Sequence, residues 1–166
     1  MAVRPVQPSA VGLRQPYAET PPRVRTWVEQ QLGSPVAVAV TQPGGMSPGC
    51  AARLRTVDDR TAFVKAVGTT VNPRTPELFR HEIDVLSTLP PGRYRPRYLG
   101  SDDDGDWVAL LLEDVDGRHP DLEDRAQAEA VWSTVATQSR ELTPPPAGLV
   151  IDTLADNARR WAGVSD

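Results

Sequence analysis

The chain has 166 residues and a formal net charge of −4 at pH 7, which suits one domain around one core and offers no basic field to nucleic acid. Its single cysteine excludes an internal disulfide and fits a reducing cytoplasm, and no apolar run is long enough to span a bilayer. We therefore expect a cytoplasmic protein that binds neither nucleic acid nor membranes.

The amino-terminal residues predict an arm followed by a short helix. Residues 1–22 are rich in proline and have no hydrophobic period, so we expect a flexible arm. Thr20-Pro21-Pro22 predicts a helix start, with Thr20 as the cap and proline in the first turn. Gly33 ends the helical spacing of Val24, Trp27, Val28 and Leu32.

Three strand-like runs and a glycine-rich turn follow. Residues 36–40 predict the first strand, and residues 50–57 and 61–67 predict the second and third. Residues 43–49, Pro-Gly-Gly-Met-Ser-Pro-Gly, join the first two strands. Such a turn exposes backbone N–H groups and lets an anion approach closely.

Two charged residues in the next elements have apolar neighbours. Lys65 shares a strand face with Phe63 and Val67. In the helix predicted for residues 77–89, a step of about 100° places Glu82 at the centre of the apolar arc. Because an unpaired buried charge is costly, we predict that Lys65 and Glu82 pair with each other. An ordinary buried ion pair, or a lysine that reaches solvent, would produce the same pattern.

The chain then returns to the sheet through a predicted hairpin. Residues 95–101 and 107–112 are typical of strands, and the acidic turn 102–106 between them contains Asp-Gly. Three successive aspartates suggest a cation site, but no other carboxylates have ligand spacing, so we favour a solvated turn. All five predicted strands fall within residues 23–113, which we interpret as one domain.

Residues 114–166 predict two further helices. The first begins at Pro120 and Asp121, and its apolar stripe comprises Ala128, Val131, Trp132, Val135, Ser139 and Leu142. The second has one face formed by Ile151, Leu154, Ala155, Ala158 and Trp161.

A glycine-rich loop between two strands, then a strand lysine and a helix glutamate, is the arrangement that holds ATP in the protein kinase fold. Residues 44–54, Gly-Gly-Met-Ser-Pro-Gly-Cys-Ala-Ala-Arg-Leu, and 62–65, Ala-Phe-Val-Lys, resemble the amino-terminal lobe of the aminoglycoside phosphotransferase family. These are kinase-like enzymes that phosphorylate small molecules. The resemblance implies an α+β fold, with a kinase-like small lobe of five antiparallel strands and one packed helix, followed by helices of an incomplete large lobe.

The resemblance also implies cofactors and site residues. ATP and magnesium would be the cofactors, and a hydroxylated small molecule would be the acceptor if a complete large lobe were supplied. Lys65 would bind the α- and β-phosphates, and Glu82 would hold Lys65. Leu112 would lie behind the adenine, with the Glu113 carbonyl and the Val115 N–H on the adenine edge. The loop residues that would cover the phosphates are Gly45, Met46, Ser47, Pro48 and Gly49.

Phosphoryl transfer in this fold also needs a loop spelled roughly H-x-D-x-x-x-x-N and a second, metal-binding aspartate. The two histidines, His81 and His119, do not fit that spelling. Asp152 and Asn157 have the required spacing but follow Val-Ile, and the same residues fit an amphipathic helix, so we favour coincidence. The resemblance thus covers the small lobe at 23–113, and the hinge and helical start of a truncated large lobe at 114–166, and we expect a truncated family member that is inactive alone.

Two other readings remain open. Trp132, Val135, Leu154 and Trp161 lie on helix stripes that no large lobe covers, which favours a non-catalytic interaction module that self-associates or binds a partner chain. A broken reading frame without a cellular function would have the same sequence.

Overall fold

The computed structural model describes residues 14–45, 47–90 and 92–149. It contains a short 3-10 helix at Tyr17–Glu19, helices α1 (Pro22–Leu32), α2 (Thr75–Thr88) and α3 (Arg125–Glu141), and strands β1 (Val36–Thr41), β2 (Cys50–Thr56), β3 (Thr61–Gly68), β4 (Tyr98–Asp103) and β5 (Trp107–Leu112).

The five strands form one antiparallel sheet in the order β1-β2-β3-β5-β4. The chain leaves β3, passes through α2 and returns at the edge as β4, so that β5 can pair with both β3 and β4. The predicted α+β class and the five-stranded antiparallel sheet are confirmed.

Strand alternation divides the core into two clusters, one on each face of the sheet. Ala62, Val64 and Ala66 of β3 are buried on the face that α1 covers. Phe63 and Val67 lie on the opposite face, where Phe79 of α2 packs. Lys65 belongs by its strand position to this second face, as predicted.

The orientation of α2 differs from the prediction. The helix buries Phe79 and packs Ile83 and Leu86 against the core, whereas Leu78 is 60% exposed. The centre of the buried face therefore lies between Phe79 and Ile83. Glu82 stands about 60° from Phe79, at the edge of that face rather than at its centre. The helical period was applied correctly, but the prediction counted Leu78 as part of the buried face, and this side chain is exposed.

Residues 14–21 pack against the sheet and differ from the expected flexible arm. Tyr17 is 6% exposed and Thr20 is 1% exposed. Thr20 is not the cap of α1, because its hydroxyl donates to the Tyr17 carbonyl at 2.7 Å and Pro21 takes the cap position. The arm prediction failed here because one buried aromatic side chain fixes the segment, and periodicity does not detect a single anchor.

Arginines pair with the acidic side chains at the end of β4 and at the start of the turn that follows it. Arg23 of α1 pairs with Asp102 and, at 2.9 Å, with Asp104. Arg80 of α2 donates two hydrogen bonds to Asp103, at 2.8 and 3.0 Å. Residues 103–106 are exposed, as the predicted solvated turn requires, and the arginine ion pairs, which were not predicted, compensate its carboxylates. Within the described residues, no group of three or more His, Cys, Asp or Glu side chains could hold a metal ion.

Helix α3 begins at Arg125, later than the predicted start at Pro120 and Asp121. Asp124 is its cap and accepts from the N–H groups of Ala126 at 2.9 Å and Gln127 at 3.3 Å. No described residue of α3 is buried. The last predicted helix, at 151–161, lies outside the described residues. Among the described helices, none has the length and apolar character needed to cross a membrane.

Candidate functional site

The side chains of Lys65 and Glu82 meet on the α2 face of the sheet. Lys65 Nζ donates to Glu82 Oε2 and lies 4.7 Å from the centre of the Phe79 ring. The two charged side chains are 22% and 32% exposed, so the ion pair lies at the margin of the core. The ammonium is therefore oriented by Glu82 and Phe79, and because the lysine side chain stays partly exposed, an anion can approach it.

The glycine-rich loop, which we define as residues 44–49, ends against β3 beside Lys65. Gly49 has φ of 97°, and a Cβ there would lie 2.6 Å from the Ala66 carbonyl oxygen. Only glycine satisfies both the positive φ and this close approach. Gly45 also has a positive φ, 92°. The end of the loop, Gly49, therefore lies against Ala66 and Val67 of β3, one and two residues after Lys65.

The other predicted loop residues can be placed only in part. Ser47 and Pro48 lie in the loop and are half-buried. Met46 lies outside the described residues. Of the predicted loop residues, Gly49 lies against Ala66 and Val67 of β3, whereas Gly45 lies close to the Arg14 side chain.

A cleft of about 1130 Å³ opens on the same face of the sheet, towards the end of β5. It contains the predicted Leu112, Glu113 and Val115. Lys65 and the glycine-rich loop are not among its lining residues, but Phe63 is, two residues before Lys65 on β3. The other residues that line it are Gln42, Arg53, Asp114, Asp116, Gly117, Thr134 and the segment Gly92, Arg93, Tyr94, Arg95, Pro96 and Arg97.

An arginine–aspartate pair fixes the segment that follows β5. Arg53 of β2 donates to Asp114 from Nε at 2.7 Å and from Nη2 at 3.0 Å. These hydrogen bonds raise the pKa of the Arg53 guanidinium. The pairing is bidentate, with the Asp114 side chain 9% exposed and the Arg53 side chain 38% exposed. The bridge ties residue 114 to the second strand across the cleft.

The backbone of Glu113 is oriented by the start of the fourth strand. Its N–H donates to the Arg97 carbonyl at 2.9 Å, and its carboxylate accepts from the Arg97 N–H at 3.1 Å. Within the described residues, the Glu113 carbonyl and the Val115 N–H make no hydrogen bond. One acceptor and one donor on a fixed backbone are therefore open to a planar ligand in the cleft.

Three contributors to the site were missed by sequence reasoning. Phe63 was treated only as a neighbour of Lys65, although it lines the cleft. Arg53 and Asp114 are 61 residues apart, and no local pattern indicates that they pair. The alternation of side chains along β2 could have indicated Arg53, because this residue lies directly opposite Phe63 in the sheet.

Other candidate residues do not join the site. Asp152 and Asn157 lie outside the described residues. Cys50 begins β2 and is buried, and burial raises the pKa of its thiol to about 12. A thiol that stays protonated is neither a nucleophile nor a metal ligand.

Comparison with family models, with curated proteins and with solved structures gave no match.

Proposed function

We propose that this chain is the nucleotide-binding lobe of an ATP-dependent phosphotransferase for small molecules, of the aminoglycoside phosphotransferase type. The observation that carries the proposal is the Lys65–Glu82 pair on an antiparallel sheet, with the glycine-rich loop ending at Gly49 against Ala66 and Val67 of the same strand as Lys65. A structural ion pair alone would not require a loop that only glycine can form next to the lysine.

Each part of ATP has a matching group in this arrangement. The partly exposed Lys65 side chain suits the α- and β-phosphates, and its ion pair with Glu82 keeps that side chain in one position. The backbone N–H groups of the glycine-rich loop suit phosphate oxygens. In the cleft, the Phe63 ring offers a stacking surface, and the Glu113 carbonyl and Val115 N–H offer an edge of donor and acceptor for adenine.

The proposal covers nucleotide binding rather than phosphoryl transfer. Transfer requires a base and magnesium ligands, and the described residues contain no cluster of acids suited to that ion. The acceptor, a hydroxylated small molecule, stays an implication of the resemblance. We expect no transfer from labelled ATP to a panel of aminoglycosides. Transfer by the pure chain would instead direct attention to Asp152 and Asn157.

The test is an NMR titration of the full chain with ATP. Because one lobe covers only one side of the nucleotide, we expect a Kd on the order of 0.1–1 mM, with shifts in β3, the glycine-rich loop and residues 112–117. Lys65→Met should weaken binding about tenfold by removing a charge-assisted contact. Arg125→Ala removes a positive charge at a side chain that is 91% exposed and should change nothing. Shifts that avoid β3 and the loop, or that Lys65→Met leaves intact, contradict the proposal.

A second candidate, an interaction module, is favoured by one specific observation. Trp132 is 72% exposed and Val135 is 48% exposed on α3, and no described residue of that helix is buried. Exposed apolar area of this kind is typical of a surface that binds another chain. In this candidate function, the exposed face of α3 that carries Trp132 and Val135 pairs with the same face of a second copy of the chain. Light scattering at increasing concentration should show a dimer that Trp132→Ser abolishes, and a monomer at all concentrations contradicts it.

A further inference from the structure

The residues immediately before the core contact both ends of the glycine-rich loop. The Arg14 guanidinium donates to the Gly44 carbonyl at 2.7 Å and, more weakly, to the Gly49 carbonyl at 3.5 Å. The Gln15 N–H donates to the same Gly49 carbonyl at 3.1 Å. Since Gly44 and Gly49 are the first and last residues of the loop, these bonds hold its two limbs together.

The segment that carries Arg14 is itself anchored. Three residues further on, Tyr17 is 6% exposed and belongs to the core cluster on the α1 face of the sheet. The Thr20 hydroxyl fixes the following turn by donating to the Tyr17 carbonyl at 2.7 Å. The backbone segment that carries Arg14 is therefore anchored in the folded domain next to the loop.

Arg14 also brings a positive charge that no described carboxylate compensates. The salt bridges of the described residues do not include Arg14, whose bonds go to neutral carbonyls instead. Its Nε is buried and, within the described residues, has no hydrogen-bond partner. A cation kept beside backbone N–H groups strengthens their attraction for an anion.

We propose that Arg14 is a positioning residue, which holds the glycine-rich loop in the shape that covers the phosphates of a nucleoside triphosphate. The identity of the ligand rests on the function proposed above, whereas the effect on the loop does not. Two measurements test the effect of Arg14 on the loop and its effect on nucleotide binding separately.

The first measurement is amide hydrogen exchange of residues 45–50 in the full chain without nucleotide. We expect Arg14→Ala to accelerate exchange there about tenfold, because a hydrogen bond from a charged donor is lost. Arg125→Ala is the matched control and should exchange like the wild type. Unchanged exchange in Arg14→Ala overturns the inference. If that variant fails to fold, Arg14→Met decides: it keeps an aliphatic stem but removes the charge and every donor, so wild-type exchange overturns the inference.

The second measurement compares ATP with AMP by NMR titration. Because the loop covers the outer phosphates, Arg14→Ala should raise the Kd for ATP about tenfold and that for AMP less than twofold. Equal weakening of both ligands overturns the positioning role. A wild-type chain that binds ATP as tightly as Arg14→Ala does overturns this inference alone. A wild-type chain that does not bind ATP overturns the proposed function. The hydrogen-exchange measurement, which uses no nucleotide, then decides alone whether Arg14 holds the loop.

Discussion

Charged side chains at the end of β4 point towards oppositely charged partners on the two faces of the sheet. Asp102 and Asp103 are consecutive in β4, so their side chains point to opposite faces of the sheet. Asp102 accordingly pairs with Arg23 of α1, and Asp103 pairs with Arg80 of α2. One hairpin thereby ties down a helix on each face, and the two pairs can be weakened separately.

Replacing Asp103 by Asn tests the α2 pair through its pH dependence. Hydrogen bonds from Arg80 hold the pKa of Asp103 below its usual value. The stabilisation is therefore complete above the unfolded pKa of about 3.9 and is lost as the pH falls through the folded pKa. The side chain is 38% exposed, so solvent screening reduces the effect. We expect Asp103→Asn to lower the free energy of unfolding by about 0.5–1 kcal/mol at pH 7.

Urea unfolding at pH 7 and at about pH 2 measures that difference, which should be smaller at the lower pH because Asp103 loses its charge as the pH falls through its folded pKa. Asp84→Asn on the exposed side of α2 is the control and should behave like the wild type at both values. A loss in Asp103→Asn that is the same at both pH values would show that the carboxylate charge is not responsible.

The Lys65–Glu82 pair allows a double-mutant cycle with the two alanine variants and their combination. Because these side chains are 22% and 32% exposed, the pair is neither fully screened nor fully desolvated. We expect a coupling of about 1 kcal/mol in the free energy of unfolding. Additive losses in urea unfolding would mean that the two groups merely lie close together.

At the scale of whole elements, the glycine-rich loop depends on one position. Gly49 combines φ of 97° with a hypothetical Cβ only 2.6 Å from the Ala66 carbonyl oxygen. Gly105, in the turn before β5, has a similar φ of 92°, but a Cβ there meets nothing within 4 Å. The two glycines therefore separate backbone strain from collision with a neighbouring strand.

Alanine at each of these glycines makes the comparison directly. Gly105→Ala should lose about 1 kcal/mol of unfolding free energy, the cost of a positive φ for a residue with a side chain. Gly49→Ala should lose at least about 2 kcal/mol, because β2 and β3 must also move apart. Equal losses in urea unfolding would show that the close approach at Gly49 relaxes without cost.

Elements set by short-range patterns could be predicted, whereas those set by single anchors could not. Strand β5 matches the prediction because its apolar run ends at an acidic turn, and Lys65 meets Glu82 because neither has another partner nearby. The start of α3 was wrong because Asp124, not the proline before it, caps the helix. The Arg14 contact joins residues 30 and 35 apart in the sequence, and no periodicity reports such a pair.

Over the whole molecule, the sheet separates two apolar clusters, and Cys50 belongs to the one that Tyr17 and α1 cover. Its thiol is 1% exposed, and burial raises its pKa to about 12. A thiol reagent can therefore reach Cys50 only when the structure opens. Labelling consequently reports whether the glycine-rich loop opens by itself or only with the whole domain.

We expect the labelling of Cys50 at pH 8 to be slower than that of a free thiol by a factor on the order of 10³ or more, because only the unfolded fraction reacts. The rate should rise with urea with the slope of global unfolding, since Cys50 is buried and pairs with Ala66 of β3. Cys50→Ser abolishes the signal and controls for other reactions of the reagent. A rate that does not depend on urea would instead show that the end of the glycine-rich loop opens locally, and Arg14→Ala should then accelerate that opening.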